Sequence, residues 1–301
     1  MLITPAAIRA LQTSFSTRFR DAYGEAETWH DRVCTTVPSS NRSNTYGWMA
    51  RLPQMRQWLG PRTLQNVTAH SYTLDNESFE LSVAVQREDY EDSNLGTYAP
   101  LMADMGRAAR KWPDQLATAA LQGGVVNLGF DGLPFFSAAH PLAPVFGVQS
   151  NNFPATALTP ANYATVRENM ASYLGEDDTP LGVMPNLLVV PPQLERQARE
   201  ILQASIIANA AGTAGISNVL TGSADLIVVP ELAGQPTTWY LADTSKAMRG
   251  LVFQLRKAPE LVSKAASEDD NVFFDRQLIW GVDSRGAVGY GPWFLMARAI
   301  A

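Results

Sequence analysis

Cysteine occurs once in these 301 residues, lysine four times and histidine three times, and no apolar run approaches the length that crosses a bilayer. The single Cys34 excludes an intrachain disulfide framework and fits a protein assembled in a reducing compartment. His30, His70 and His140 stand at separations that suit no local zinc motif, so no metal is expected. A Walker loop, a G-x-G-x-x-G fingerprint and a G-x-S-x-G elbow are all missing, and no cofactor is expected either. The start, MLITPAAIRALQ, has no basic leader ahead of its apolar residues and Arg9 interrupts them, which reads as no signal peptide.

The most informative absence is local. From Arg32 to Leu74 there is no Asp, Glu or Lys, yet there are five arginines: Arg32, Arg42, Arg51, Arg56 and Arg62. From Asp75 to Asp92 the sign reverses, with seven acids against the single base Arg87. Such a split predicts contact between the two blocks, within one chain or between copies, because the arginine fork matches carboxylates. Trp48, Met49, Met55 and Trp58 are interleaved with the arginines, and Arg, Trp and Met are the residues that interfaces favour. The candidate contact residues are therefore Trp48, Arg51, Arg56, Trp58 and Arg62, with Glu88, Asp89, Glu91 and Asp92 as acidic partners.

Periodicity supplies a coarse architecture. Pro5 after the N-cap residue Thr4, with Ile8, Leu11, Phe15 and Phe19 at helical spacing, predicts an amphipathic helix to about Ala22. Two readings of it stand side by side: a core-facing helix, or an arm lying on a neighbouring copy. Ser39–Leu74, punctuated by Gly47, Pro53, Gly60 and Pro61, reads as a long projecting hairpin. Phe79, Leu81, Val83 and Val85 alternate with small or polar residues as a strand with one buried face. Leu101, Met102, Met105, Ala108, Ala109, Trp112, Leu116, Ala119 and Ala120 stripe a helix from Thr97 to Gln122, about 39 Å long at the standard rise. Pro113 should bend it or start its second half, and Gly123-Gly124 ends it.

Beyond a Gly/Pro-rich passage from Gly123 to Pro154 the pattern becomes α/β. Leu187–Val190 and Leu226–Val229 read as buried strands, with a helix from Pro191-Pro192 to about Ala208 between them. Thr237–Ala242 and Leu251–Leu255 read as further strands, and Val272–Ile300 as an antiparallel pair turning near Asp283–Gly286. Gly212-Thr213-Ala214-Gly215 lacks the Lys-Ser/Thr of a phosphate cradle and reads as a loop. Glu176-Asp177-Asp178 and Glu268-Asp269-Asp270 read as solvated turns. A hydrolase using Asp131 and His140 would need a nucleophile–base pair held in place, and the sequence offers no third group to orient it, so no enzyme is expected.

Several stretches resemble a known family, in its order along nearly the whole chain: SNTYGWMARLPQMRQWLGPR (Ser43–Arg62), FELSVAVQREDYEDSNLGTYAPLMADMGRAA (Phe79–Ala109), DGLPFFSAAHP (Asp131–Pro141), VVPPQLERQAREIL (Val189–Leu202), WYLADTSKAMRGLVFQLRKAPE (Trp239–Glu260) and VDSRGAVGYGPW (Val282–Trp293). The resemblance is to the major head (capsid) subunit T of phage Mu and its prophage relatives. SAAHP at Ser137–Pro141 departs from that family in being more apolar.

The resemblance implies an α+β fold of the Hong Kong 97 (HK97) capsid type. Its parts would be an N-terminal arm (1–45), an extended loop hairpin (46–78), a peripheral domain with a long spine helix (79–135), an α/β axial domain (136–250), and returning strands completing both domains (251–301). It implies a major capsid protein that self-assembles as pentamers and hexamers into an icosahedral head around double-stranded DNA. An encapsulin-like, cargo-enclosing shell protein is the alternative. Implied partners are other copies of the chain, a separate scaffolding protein, a portal, and packaged DNA without sequence-specific contact, with no membrane. The expected location is the virion, after assembly in the host bacterial cytoplasm. The net charge of −6 and pI near 5.1 agree with a wall that does not adhere to packed DNA.

Overall fold

A computed structural model describes residues 5–49, 69–92, 98–141, 147–175, 179–208, 215–266 and 269–301. The chain opens with α1 (Pro5–Glu25) and the single turn α2 (His30–Val33), then strands β1 (Cys34–Pro38), β2 (Ser43–Met49), β3 (Ala69–Asp75) and β4 (Glu77–Gln86). A short α3 (Arg87–Glu91) precedes the long α4 (Tyr98–Gly123). Next come β5 (His140–Pro141), β6 (Val148–Gln149), β7 (Asn152–Phe153), α5 (Pro160–Ala171), β8 (Leu187–Val190), α6 (Glu195–Gln203), β9 (Ile206–Ala208) and β10 (Gly215–Ser217). The last elements are β11 (Asp225–Val228), β12 (Thr238–Ala242), β13 (Leu251–Lys264), α7 (Asp270–Phe274), β14 (Gln277–Tyr290) and β15 (Met296–Ile300).

Two sheets carry the fold. One is ordered β1-β13-β14-β4, with β1 parallel to β13 and the other pairs antiparallel. The other is ordered β11-β8-β12-β15-β7, with β8 and β12 buried along their whole length, as apolar runs without alternation predict for central strands. α4 spans both hydrophobic cores. Met102, Met105 and Ala109 in its first half join Ile8, Leu11, Phe15, Phe19 and Trp280, while Trp112, Ala117, Ala120 and Leu121 join the core of the α/β unit. A helix that contributes apolar side chains to two cores couples their stability, and α4 does so as one continuous helix that includes Pro113.

The first helix takes the core-facing reading. Ile8, Leu11, Phe15 and Phe19 are all buried within their own chain, and Phe15 meets Trp280 edge to face at 5.0 Å. Thr4, the expected N-cap, lies outside the described residues.

Four expectations need correction. Leu101, Ala108 and Ala119 of the α4 stripe are exposed, because the stripe is narrower than the apolar residues that mark it. Leu81 is likewise exposed on β4, whose inward face is Phe79, Val83 and Val85. The helix after Pro191-Pro192 is a 3-10 turn followed by α6, ending at Gln203, and Ile206–Ala208 is a strand. The predicted turn near Asp283–Gly286 is the middle of the 14-residue strand β14, whose antiparallel partner is β13, while β15 joins the other sheet. Gly286 misled the reading: a Cβ there would sit 2.5 Å from the Gln254 carbonyl oxygen, so this glycine permits close strand approach rather than a turn.

Candidate assembly surfaces

The root of the hairpin is fixed to the sheet by side chains that recur on its two strands. β2 and β3 pair antiparallel from Ser43↔Asp75 to Met49↔Ala69, with the Thr45 and Thr73 hydroxyls 3.0 Å apart across them. The Tyr46 hydroxyl donates to Gln254 Oε1 at 2.7 Å, and Gln254, fully buried on β13, donates through Nε2 to the Leu74 carbonyl at 3.2 Å. The Tyr72 hydroxyl accepts from the Tyr290 backbone N–H at 3.3 Å, with the two rings edge to face at 6.5 Å. Burial pushes the Tyr46, Tyr72 and Tyr290 hydroxyls upward, Tyr290 to about 12, which keeps all three neutral hydrogen-bonding groups at physiological pH. At the base, Asn76 Nδ2 donates to Ser39 Oγ (2.9 Å) and to the Asn41 carbonyl (2.8 Å).

Of the contact residues predicted from sequence, Trp48 lies on β2 opposite His70, and Arg51, Arg56, Trp58 and Arg62 lie outside the described residues. The acids sit on and just after α3. Asp89 Oδ2 accepts from the Tyr98 hydroxyl at 2.6 Å, and Glu88 Oε1 lies 3.4 Å from Arg276 Nη1. Glu91 closes α3, and Asp92 follows it, exposed. Two of the four acids thus have partners in their own chain, one of them 188 residues away, which spacing along the sequence does not reveal. Arg32 pairs with Asp225 at 2.7 Å in an exposed bridge, an arrangement worth little on its own.

Between α4 and β7 lies a constellation with catalytic residue types. His140 is fully buried, its Nδ1 2.6 Å from Asp131 Oδ2 and its Nε2 3.1 Å from Asn151 Oδ1. Asn151 is the third group that sequence reasoning missed. Its Nδ2 faces the carbonyls of Phe135 (2.8 Å), Trp293 (3.2 Å) and Met296 (3.1 Å), and its Oδ1 also accepts from the Ser137 N–H at 2.9 Å. His140 lies flat on Trp293, centroids 4.1 Å apart and planes within 1°. Both ring nitrogens are occupied by these contacts, so the cluster joins the loop to β7 and the C-terminal segment as a staple.

A second histidine does the same work at the spine helix. His30 Nδ1 lies 2.8 Å from Asp114 Oδ1 and its Nε2 lies 3.1 Å from Asp31, while Asp114 also accepts from the backbone N–H groups of Trp29 and His30. Among the described residues no group of three or more His, Cys, Asp or Glu could hold a metal ion, and no helix is long and apolar enough to cross a membrane.

In the α/β unit, the β9–β10 hairpin exposes Ile206 and Ile216, with Val219 just beyond it. Gly212-Thr213-Ala214, between its strands in sequence, and Glu176-Asp177-Asp178 lie outside the described residues.

The model of the family described as Mu-like prophage major head subunit gpT matches residues 8–156, 148–232 and 231–300. The chain is 31% identical over 300 residues to the major capsid protein of Escherichia phage Mu, across 100% of this chain and 75% of that protein. It is 29% identical over 298 residues to the Mu-like prophage FluMu major head subunit of Haemophilus influenzae, across 99% and 74% respectively. A chain in the procapsid of bacteriophage JBD30 superposes with a TM-score of 0.62 and 32% identity, covering 99% of this chain and 76% of that one. The two-sheet α+β arrangement around a spine helix is the HK97-like capsid fold of these phage proteins.

Proposed function

This chain belongs to the Mu-like prophage major head subunit gpT family, and on that premise we propose that its copies assemble as pentamers and hexamers into an icosahedral head around double-stranded DNA. It is a major capsid protein and its place is the capsid of the virion. The observation that carries the reading is the family match from residue 8 to residue 300, on a fold whose solved relatives are phage capsid chains. A cargo-enclosing compartment is the weaker reading, since the relatives near thirty per cent identity are phage head proteins.

Several features support the finer account. The acidic balance suits a wall that lets packed DNA move, so contact with DNA is not sequence-specific. A separate scaffolding protein and a portal complete the head, and assembly takes place in the host bacterial cytoplasm, where Cys34 stays reduced. The parts are an N-terminal arm (1–45), extended loop (46–78), peripheral domain (79–135), axial domain (136–250) and returning strands (251–301). Trp48, Arg51, Arg56, Trp58 and Arg62 of the loop contact neighbouring copies, whose Glu88, Asp89, Glu91 and Asp92 receive the arginines. Each such pair is weak, but repetition at every subunit multiplies it.

Electron microscopy of the protein expressed alone tests the reading. Closed shells or capsomers are expected. A monodisperse monomer at high concentration would count against self-assembly.

A further inference from the structure

The cluster around His140 closes only if the ring donates from both nitrogens. The orientation of the Asn151 amide is fixed without reference to the histidine. Its Oδ1 accepts from the Ser137 N–H at 2.9 Å, a group that only donates, and its Nδ2 faces the carbonyls of Phe135, Trp293 and Met296, which only accept. Turning the amide over would set like against like at all four contacts. The atom 3.1 Å from His140 Nε2 is therefore an acceptor, Asn151 Oδ1.

Asp131 defines the other side of the ring. Its Oδ1 accepts from the Leu133 N–H at 3.2 Å, and its Oδ2 lies 2.6 Å from His140 Nδ1. A neutral imidazole carries one N–H and one lone pair. Whichever nitrogen kept the single proton, the lone pair of the other would point at an oxygen lone pair, inside a site where His140 has no exposed surface. A buried contact of that kind costs free energy, whereas a second N–H turns it into a charge-assisted hydrogen bond.

The surroundings suit a positive ring. The Asp131 carboxylate supplies the counter-charge, and the indole face of Trp293 lies parallel to the ring with centroids 4.1 Å apart, where a cation is attracted to the π-system. The other titratable or charged groups on the packed elements are engaged elsewhere. Tyr173, after α5, sets its ring edge to face on Trp293, but its hydroxyl donates to the Ser150 carbonyl at 2.7 Å, and burial pushes that hydroxyl upward, so it stays neutral. Arg298 on β15 directs its guanidinium to Asn152 Oδ1 at 3.0 Å.

We infer that His140 is a buried imidazolium, donating from Nδ1 to the Asp131 carboxylate and from Nε2 to Asn151 Oδ1, and that its second proton is the latch of the segment between α4 and β7. With that proton in place, Asp131 and Asn151 are bridged, and the segment is tied to the carbonyls of Trp293 and Met296. Without it, one of the two bridges becomes a repulsion. The linkage has one sign. The second proton belongs to the folded cluster, so unfolding above the ordinary histidine range releases it, and the latch weakens as pH rises rather than as it falls.

Magic-angle-spinning NMR of the full chain, uniformly labelled with ¹³C and ¹⁵N, tests this without any substitution. At neutral pH both ring nitrogens of His140, assigned through its backbone, should resonate in the protonated range, each with a directly bonded hydrogen. Raising the pH until one of them is lost should shift the Ser137 N–H and the Asn151 side-chain amide in the same step. An unprotonated ring nitrogen on His140 at neutral pH would overturn the inference. So would a ring that loses its proton while Ser137 and Asn151 stay unmoved.

Discussion

Gly106 of α4 lies against the main-chain carbonyl of Phe19 on α1: a Cβ at position 106 would stand 2.4 Å from that oxygen. The obstacle is backbone, not the movable end of a side chain. Gly106→Ala should therefore lower stability, although alanine gains about 1 kcal/mol in helix propensity over glycine. Chemical denaturation of the unassembled subunit measures this, and a midpoint at or above wild type would show that α1 and α4 are not in close contact.

Trp112 packs between Phe79 at 5.1 Å and Phe253 at 5.6 Å, joining the spine helix to two strands of the sheet. Truncating such a buried tryptophan costs about 3–5 kcal/mol. Trp112→Ala should reduce the yield of soluble subunit without altering the diameter of those shells that form. An unchanged denaturation midpoint would contradict the packing.

His140→Leu would remove the group that meets both Asp131 and Asn151 inside the protein. Deleting one partner of a buried ionic or hydrogen-bonded pair typically costs about 3–5 kcal/mol, and the Asp131 carboxylate would keep only the Leu133 N–H. The variant should unfold earlier, and proteolysis should cut first between Asn127 and Asn151, the loop that this cluster ties to the C-terminal segment. Wild-type resistance to protease would remove the stapling role.

No covalent link is expected between subunits. Residues 46–78 contain no lysine, the four being Lys111, Lys246, Lys257 and Lys264, and an arginine stays protonated and is a poor nucleophile. Cys34 is buried, and burial pushes its thiol well above the ordinary range, so the reactive thiolate is scarce. Particles boiled in denaturant with reductant should run as one band at the mass of a single subunit, and native particles should leave a thiol reagent unconsumed until they are denatured. A ladder of higher species that survives the boiling would contradict this.

The elements readable from sequence were those with strong periodicity or unbroken apolar runs. α4 begins at Tyr98 and ends at Gly123, within a residue of the limits its stripe sets, and Leu187–Val190 is the strand its four apolar residues predict. β13 was harder to read because the register shifts between Leu255 and Glu260 break its alternation, so only Leu251–Leu255 was legible. α5 carries an apolar stripe of only three residues, Tyr163, Val166 and Met170. Its signals were local: Thr159 caps the Asn162 N–H, and Pro160 stands at the first helical position. Asp131 and His140 could be named from sequence, but Asn151 could not, since its role depends on carbonyls more than 140 residues away at Trp293 and Met296.

The central claim is that the arginines at 51, 56 and 62 of one copy bind the acids of another, and charge reversal tests it most directly. Arg56→Glu/Arg62→Glu should leave subunits folded and soluble while sedimentation velocity shows shells lost or greatly reduced. Adding Glu88→Arg and Asp92→Arg to the same chain should restore them. Salt-resistant shells at normal yield from the Arg56→Glu/Arg62→Glu chain would contradict the account.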